Sequence, residues 1–118
     1  MKLLLQKHID QLIANGRAQD PVRGTEQEID FEPVVKLFNP AGAGTWLLTE
    51  LDPENPDIAF GLCDLGMGTP ELGSVSIAEL ESVRGPFGLG IERDLHWTPR
   101  MKLSEYARAA SFHGYLAA

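Results

Sequence analysis

"TWLLTELDPENPDIAFGLCDLGMGTPELGSVSI", residues 45–77, decides the fold. It holds three apolar runs: "TWLLTEL" (45–51), "IAFGLCDL" (58–65) and "LGSVSI" (72–77). β-Branched and aromatic side chains such as those of Thr45, Trp46 and Thr49 suit a pleated surface. The joins, "DPENPD" (52–57) and residues 66–71, are rich in turn formers. Connections this short allow only antiparallel neighbours, because a parallel crossover needs roughly a dozen residues or more. On the middle strand, alternation places Ile58, Phe60, Leu62 and Asp64 on one face.

Working outward, "PVVKLFNP" (33–40) reads as a strand bounded by prolines, and "AGAG" (41–44) as its turn. Residues 16–32 have two glycines, a proline and few large apolar groups, which predicts a long surface connection. Residues 3–15 predict a helix, with Leu5, Ile9, Leu12 and Ile13 on one stripe and Asn15-Gly16 ending it. Downstream, Ser76 and Glu79 form a capping-box pattern that predicts a short helix from Ile77 to Val83. "RGPFGLG" breaks it, "GIERDLHW" (90–97) reads as a fifth strand, and Thr98-Pro99 ends that strand. Residues 103–110, "LSEYARAA", predict a last helix with Ser104 as N-cap. The expected fold is α+β: one domain over 1–118, an antiparallel β-sheet meander of about 4–6 strands, with N-terminal and C-terminal helices packed on it.

Composition narrows the function classes. No run approaches the roughly 18 apolar residues of a membrane span. The N-terminal apolar run, Leu3 to Leu5, is too short for a signal-peptide core of about 7–15 residues. Cys63 is the single cysteine, so no internal disulfide or multi-cysteine metal site forms. A cytoplasmic location follows as the expectation, with no membrane partner.

The formal net charge of −7 is uneven. Residues 26–83 carry twelve acids and one base, Lys36, while the segments on either side are each net positive. A block of this kind repels nucleic acid and attracts basic surfaces. The expected partner is therefore a protein with a basic surface, with no direct nucleic-acid contact. The candidate binding residues are Glu50, Asp52, Glu54, Asp57, Glu71, Glu79 and Glu81.

The chemical motifs fail one by one. Gly66, Gly68 and Gly73 lack the spacing of a dinucleotide fingerprint, and a strand rather than a helix follows them. Gly68 and Gly73 match the glycine spacing of a P-loop, but Ser74 stands where its lysine belongs. Pro70 offers no N–H to an anion, and Glu71 repels one. The turn from Asp52 fails as a calcium loop after Asp52 and Glu54, since Pro56, Asp57 and Cys63 occupy later required positions. His8, His96 and His113 form no zinc spacing, so no metal and no cofactor is implied. No G-x-S-x-G elbow exists, Cys63 reads as a buried small hydrophobe, and Trp46 and Trp97 read as core aromatics. The densest cluster is "ERDLHW", where a strand would put Glu92, Asp94 and His96 on one face. A carboxylate beside an imidazole can do acid–base work. That cluster is the alternative reading, a small enzyme such as a hydrolase or nuclease accessory.

The strings "KLFNP" (36–40), "TWLLTELDP" (45–53), "AFGLCDLGMGTPELG" (59–73), "SIAELESVRG" (76–85) and "IERDLHW" (91–97) together resemble the bacterial domain-of-unknown-function 2958 family. The resemblance covers about residues 34–108. It implies a small protein of plasmids, phages and integrated elements, often encoded near antirestriction and DNA-processing genes. It supplies no catalytic residues. Combined with the acidic block, it implies a non-catalytic binding or regulatory module, with anti-defence action or DNA mimicry as its form.

Overall fold

The computed structural model describes residues 2–118. Four strands, β1 (Val35–Phe38), β2 (Thr45–Asp52), β3 (Asn55–Asp64) and β4 (Glu71–Ser76), form the antiparallel meander that the short turns dictate. A fifth, β5 (Glu92–Arg93), returns to the outer edge of β1, giving the order β4-β3-β2-β1-β5. α1 (Gln6–Gln19) and α2 (Ile77–Ser82) cover one face of the sheet, and α3 (Leu103–His113) covers the other. The arrangement is α+β, with helices from both ends of the chain on one five-stranded sheet.

β2 is buried on both faces, which is why it reads as a nearly continuous apolar run. Trp46, Leu48 and Leu51 pack with Leu12 of α1 and with Ile77 and Leu80 of α2. Leu47 packs instead with Leu62, Leu103, Tyr106 and Ala110 under α3. Each fully buried leucine contributes about 1.5–3 kcal/mol. Trp46 lies in the core, and Trp97 packs partly buried against Tyr106 at a ring separation of 6.2 Å. β2 does not alternate strictly. Its register against β3 slips between Leu48 and Glu50, so Thr49 is the extra residue of a β-bulge. A bulge reverses the phase of the side chains beyond it. Glu50 therefore sits opposite Phe60 on the α3 face, not beside Trp46 and Leu48 on the α1 face.

Three local expectations need correction. First, α1 does not stop at Asn15-Gly16 but runs on to Gln19. Gly16 serves packing, because a Cβ there would stand 2.0 Å from the Leu51 carbonyl oxygen. Its missing side chain lets α1 lie directly on β2. The buried face of α1 is accordingly Leu12, Asn15, Gly16 and Gln19, while Leu5 is exposed.

Second, β5 is only two residues long. Pairing reaches Asp94, whose N–H donates to Lys36 O, and the chain then turns, with Trp97 N donating to Asp94 O. Third, Ser104 is not the N-cap of α3; Lys102 is, and its N–H donates to Glu105 Oε1. Ser104 lies inside the helix, and its free N–H donates to Asp30 Oδ1 at 3.1 Å.

The glycine-rich turn between β3 and β4 lies where the sequence places it. Gly66 and Gly68 adopt φ of 79° and 82°, whereas Gly73 lies within β4. Asp64 holds this turn through Gly66 N at 2.8 Å and ties the chain terminus down through Leu116 N at 2.8 Å. α2 begins as expected, with Ser76 Oγ accepting from Glu79 N.

Candidate functional site

The long connection after α1 is surface chain, as its composition requires, but it is tied down along its length. Gln19, 5 % exposed, donates through Nε2 to Ile29 O and accepts from Ile29 N, both at 2.8 Å. The side-chain amide thus mimics a strand pairing. Asp30 accepts from both the N–H and the hydroxyl of Ser104, and Phe31 O accepts from Leu103 N at 2.8 Å. Unpaired N–H groups at the start of a helix need acceptors. Here α3 receives them from a segment more than seventy residues earlier in the chain.

This strap, the bulged end of β2 and the start of α3 enclose a cavity of about 240 Å³. Its apolar wall includes Phe60, Leu72 and Leu103, and its polar wall includes Glu28, Asp30 and Glu50. Glu50 also lines a neighbouring cavity of about 260 Å³, together with Asp20, Arg23 and Ser74. Glu50 is 3 % exposed. Arg23 reaches in from the strap, donating Nη1 to Glu50 Oε1 and Nη2 to Asp20 Oδ1, each at 3.0 Å. Glu50 Oε2 has no hydrogen-bond partner.

An unsatisfied buried acceptor costs about 1–3 kcal/mol, more when charged. Burial pushes the Glu50 carboxyl above its ordinary value; the Arg23 hydrogen bond and charge oppose this only in part, and Asp20 and Glu28 add to the rise. The Arg23 guanidinium is shifted up in turn, chiefly by its bonds to Asp20 and Glu50. A buried carboxylate with one free oxygen, in a small cavity walled by further acids, can accept hydrogen bonds from a cation.

The other expected binding residues lie along the β2–β3 turn, β3, β4 and α2. Asp52 and Glu54 lie at the β2–β3 turn, where Asp52 Oδ1 accepts from Glu54 N at 2.9 Å. Asp57 is occupied in holding α2: it accepts from Ser76 Oγ at 2.5 Å and from Ala78 N at 2.8 Å. Those two bonds, the Ser76 one first, hold its carboxyl below the usual range. Glu81 accepts from Leu3 N at 3.0 Å. Glu71 and Glu79 are exposed. Glu50 alone of the set is buried, and Asp52 lines the second of its cavities.

Glu92, Asp94 and His96 are divided between two cavities, with Asp94 and His96 in the same one. Glu92 lines a cavity with Glu81 and Arg84, while Asp94 and His96 line a separate cleft of about 550 Å³. Asp94 pairs with Lys36 at 3.7 Å, and its Oδ1 accepts from the backbone N–H of His96 at 3.3 Å, not from the imidazole. The turn after Asp94 takes His96 off the strand. Among the described residues no group of three or more His, Cys, Asp or Glu side chains could hold a metal ion. Nor is any helix of the described residues long and apolar enough to cross a membrane.

The sequence matches the model of a protein family described as "Protein of unknown function (DUF2958)" over residues 3–117. The chain belongs to this family. The match is wider than the resemblance over 34–108, and it takes in α1, the strap and α3. No curated protein and no solved structure matches the chain.

In this DUF2958 chain, Gln19, Arg23, Asp30, Thr49 and Ser104 are the site residues that sequence reasoning missed. One signal pointed to them. Asn15 and Gln19 follow Leu12 at helical spacing, so two amides share the apolar face of α1. A polar residue on a buried face must find a partner. Asn15 does so by donating Nδ2 to Thr49 O at 2.8 Å, at the bulge itself. Cys63 packs against the α1-side core, and burial pushes its thiol up, away from reactivity.

Proposed function

We propose that this protein is a non-catalytic, acidic binding module of a mobile genetic element, working in the cytoplasm by engaging a basic surface on a protein partner. One observation carries the reading. Glu26, Glu28, Asp30, Glu32, Asp52, Glu54, Glu71 and Glu79 are exposed, and the ion pairs among the described residues engage only Asp20, Glu50 and Asp94. Surface carboxylates left without internal cations keep their field for a partner, and such fields accelerate encounter with opposite charge.

The test uses the quadruple variant Asp52→Asn, Glu54→Gln, Glu71→Gln, Glu79→Gln. Proteins captured from the native cell by the wild-type chain are purified, and their affinity is measured at about 50 mM and about 500 mM salt, since salt confines the field of a surface charge to about 10 Å at 0.1 M. The reading expects binding that weakens with salt and in the variant. Affinity indifferent to both would refute it.

A further inference from the structure

We infer that the cavity beneath the strap is a subsite for one guanidinium group, supplied by an arginine of an extended segment of the partner. The inference rests on the proposed binding role and gives it a specific contact.

Glu50 is nine-tenths buried and more, lines the cavity, and keeps Oε2 covered and without a donor, so an occupant meets it by a turn of the carboxylate. Its other oxygen already receives Arg23, so the site shows in its own structure the type of donor it accepts. Glu28 and Asp30 line the same cavity and disfavour an anionic occupant. A metal ion is disfavoured, because the described residues offer no set of three ligating side chains.

A planar cation suits the rest of the lining. Phe31, Phe60, Leu72 and Leu103 give it an apolar surface. A guanidinium is weakly hydrated, stacks on aromatic faces and presents several donors in a fixed fork, so it tolerates such a setting better than an ammonium. About 240 Å³ accommodates one side-chain head and not a large ligand.

The choice of an extended segment comes from the sheet. Leu72, half exposed, lies on β4, which is the edge strand. β4 pairs with β3 on one side, and no strand of the described residues pairs with the other. An incoming strand can hydrogen-bond such an edge while alternate side chains enter pockets beside it. From that edge, a side chain directed to the α3 face reaches the cavity that Leu72 lines.

The experiment titrates n-butylguanidinium, and separately the capped tripeptide acetyl-Gly-Arg-Gly-amide, into the full chain. It follows the amide signals of Thr49, Phe60, Leu72 and Ser104 and the Glu50 side-chain carboxyl by NMR. The expected result is saturable shifts, a fall in the Glu50 carboxyl pKa on binding, and a loss of affinity of about 10- to 100-fold in Glu50→Gln, the scale of a charged hydrogen bond. Shifts that never saturate, or that persist in Glu50→Gln, overturn the subsite. If Glu50→Gln fails to fold, the carboxyl titration of the wild-type chain decides alone. Tripeptide binding no tighter than that of butylguanidinium overturns the edge-strand part and leaves a free guanidine as the source. Neither probe carries a partner surface, so this subsite can fail while salt-dependent partner binding stands, and the reverse.

Discussion

Gly16→Ala separates two physical effects of opposite sign. By helix propensity alone, alanine in place of a glycine within a helix stabilises by about 1 kcal/mol. Packing opposes that gain. The new Cβ would stand 2.0 Å from Leu51 O and 3.1 Å from the Pro53 ring, and the carbonyl belongs to a strand buried on both faces. Ordinary contact needs at least 3.4 Å, so α1 must retreat by more than an ångström. Overpacking of this kind costs about 1–3 kcal/mol. The retreat also stretches the 2.8 Å bond from Asn15 Nδ2 to Thr49 O, which is buried. Leaving that carbonyl unpaired costs about 1–3 kcal/mol more. Subtracting the propensity gain leaves a net destabilisation of about 3 kcal/mol, or about 10 °C in Tm for a domain of this size. Urea unfolding followed by circular dichroism measures it. Asn15→Ala in the same background should then add less than it does alone, because the retreat has already spent that bond. A neutral or stabilising Gly16→Ala would refute the close approach of α1 to β2.

Three further outcomes are expected. Because burial raises the Glu50 carboxyl above its ordinary 4.5, the folded state resists its ionisation, so its contribution worsens as pH rises from that value through the raised one; the stability of Glu50→Gln relative to wild type should therefore increase from about pH 4 to pH 7, and urea midpoints that show the reverse slope would contradict the desolvation of Glu50. Asp30→Ala removes the acceptor for Ser104 at the start of α3 and should lower stability by about 1 kcal/mol, with faster amide exchange in residues 28–32; unchanged exchange there would show that the strap is not held by this contact. Cys63, with its thiol raised by burial, should react with iodoacetamide about tenfold more slowly than free glutathione at neutral pH and recover in urea; equal native rates would place the thiol in solvent.

The meander was legible because its signals are local. Turn residues at 52–57 and 66–71 sit between apolar runs, and chain length alone forbids a crossover there. The cap of α2 was legible for the same reason: Ser76 and Glu79 lie three residues apart. The end of α1 was misread because glycine has two uses. Asn15-Gly16 spells a helix terminator, and only the carbonyl of Leu51, thirty-five residues on, shows that it is a contact point.

Glu50 was legible as an acid and not as a buried one. Strict alternation from Trp46 and Leu48 places it against α1, and a one-residue bulge places it under the strap. By itself, then, the sequence determined the antiparallel meander, the excess of negative charge and the family. The tertiary structure alone decided which face Glu50 takes, which distant groups cap α3, and that Glu92 lines a different cavity from Asp94 and His96. The physical reason is range. Periodicity and turn chemistry act within a few residues, whereas a bulge, a close backbone approach and a borrowed cap depend on what the rest of the chain brings alongside.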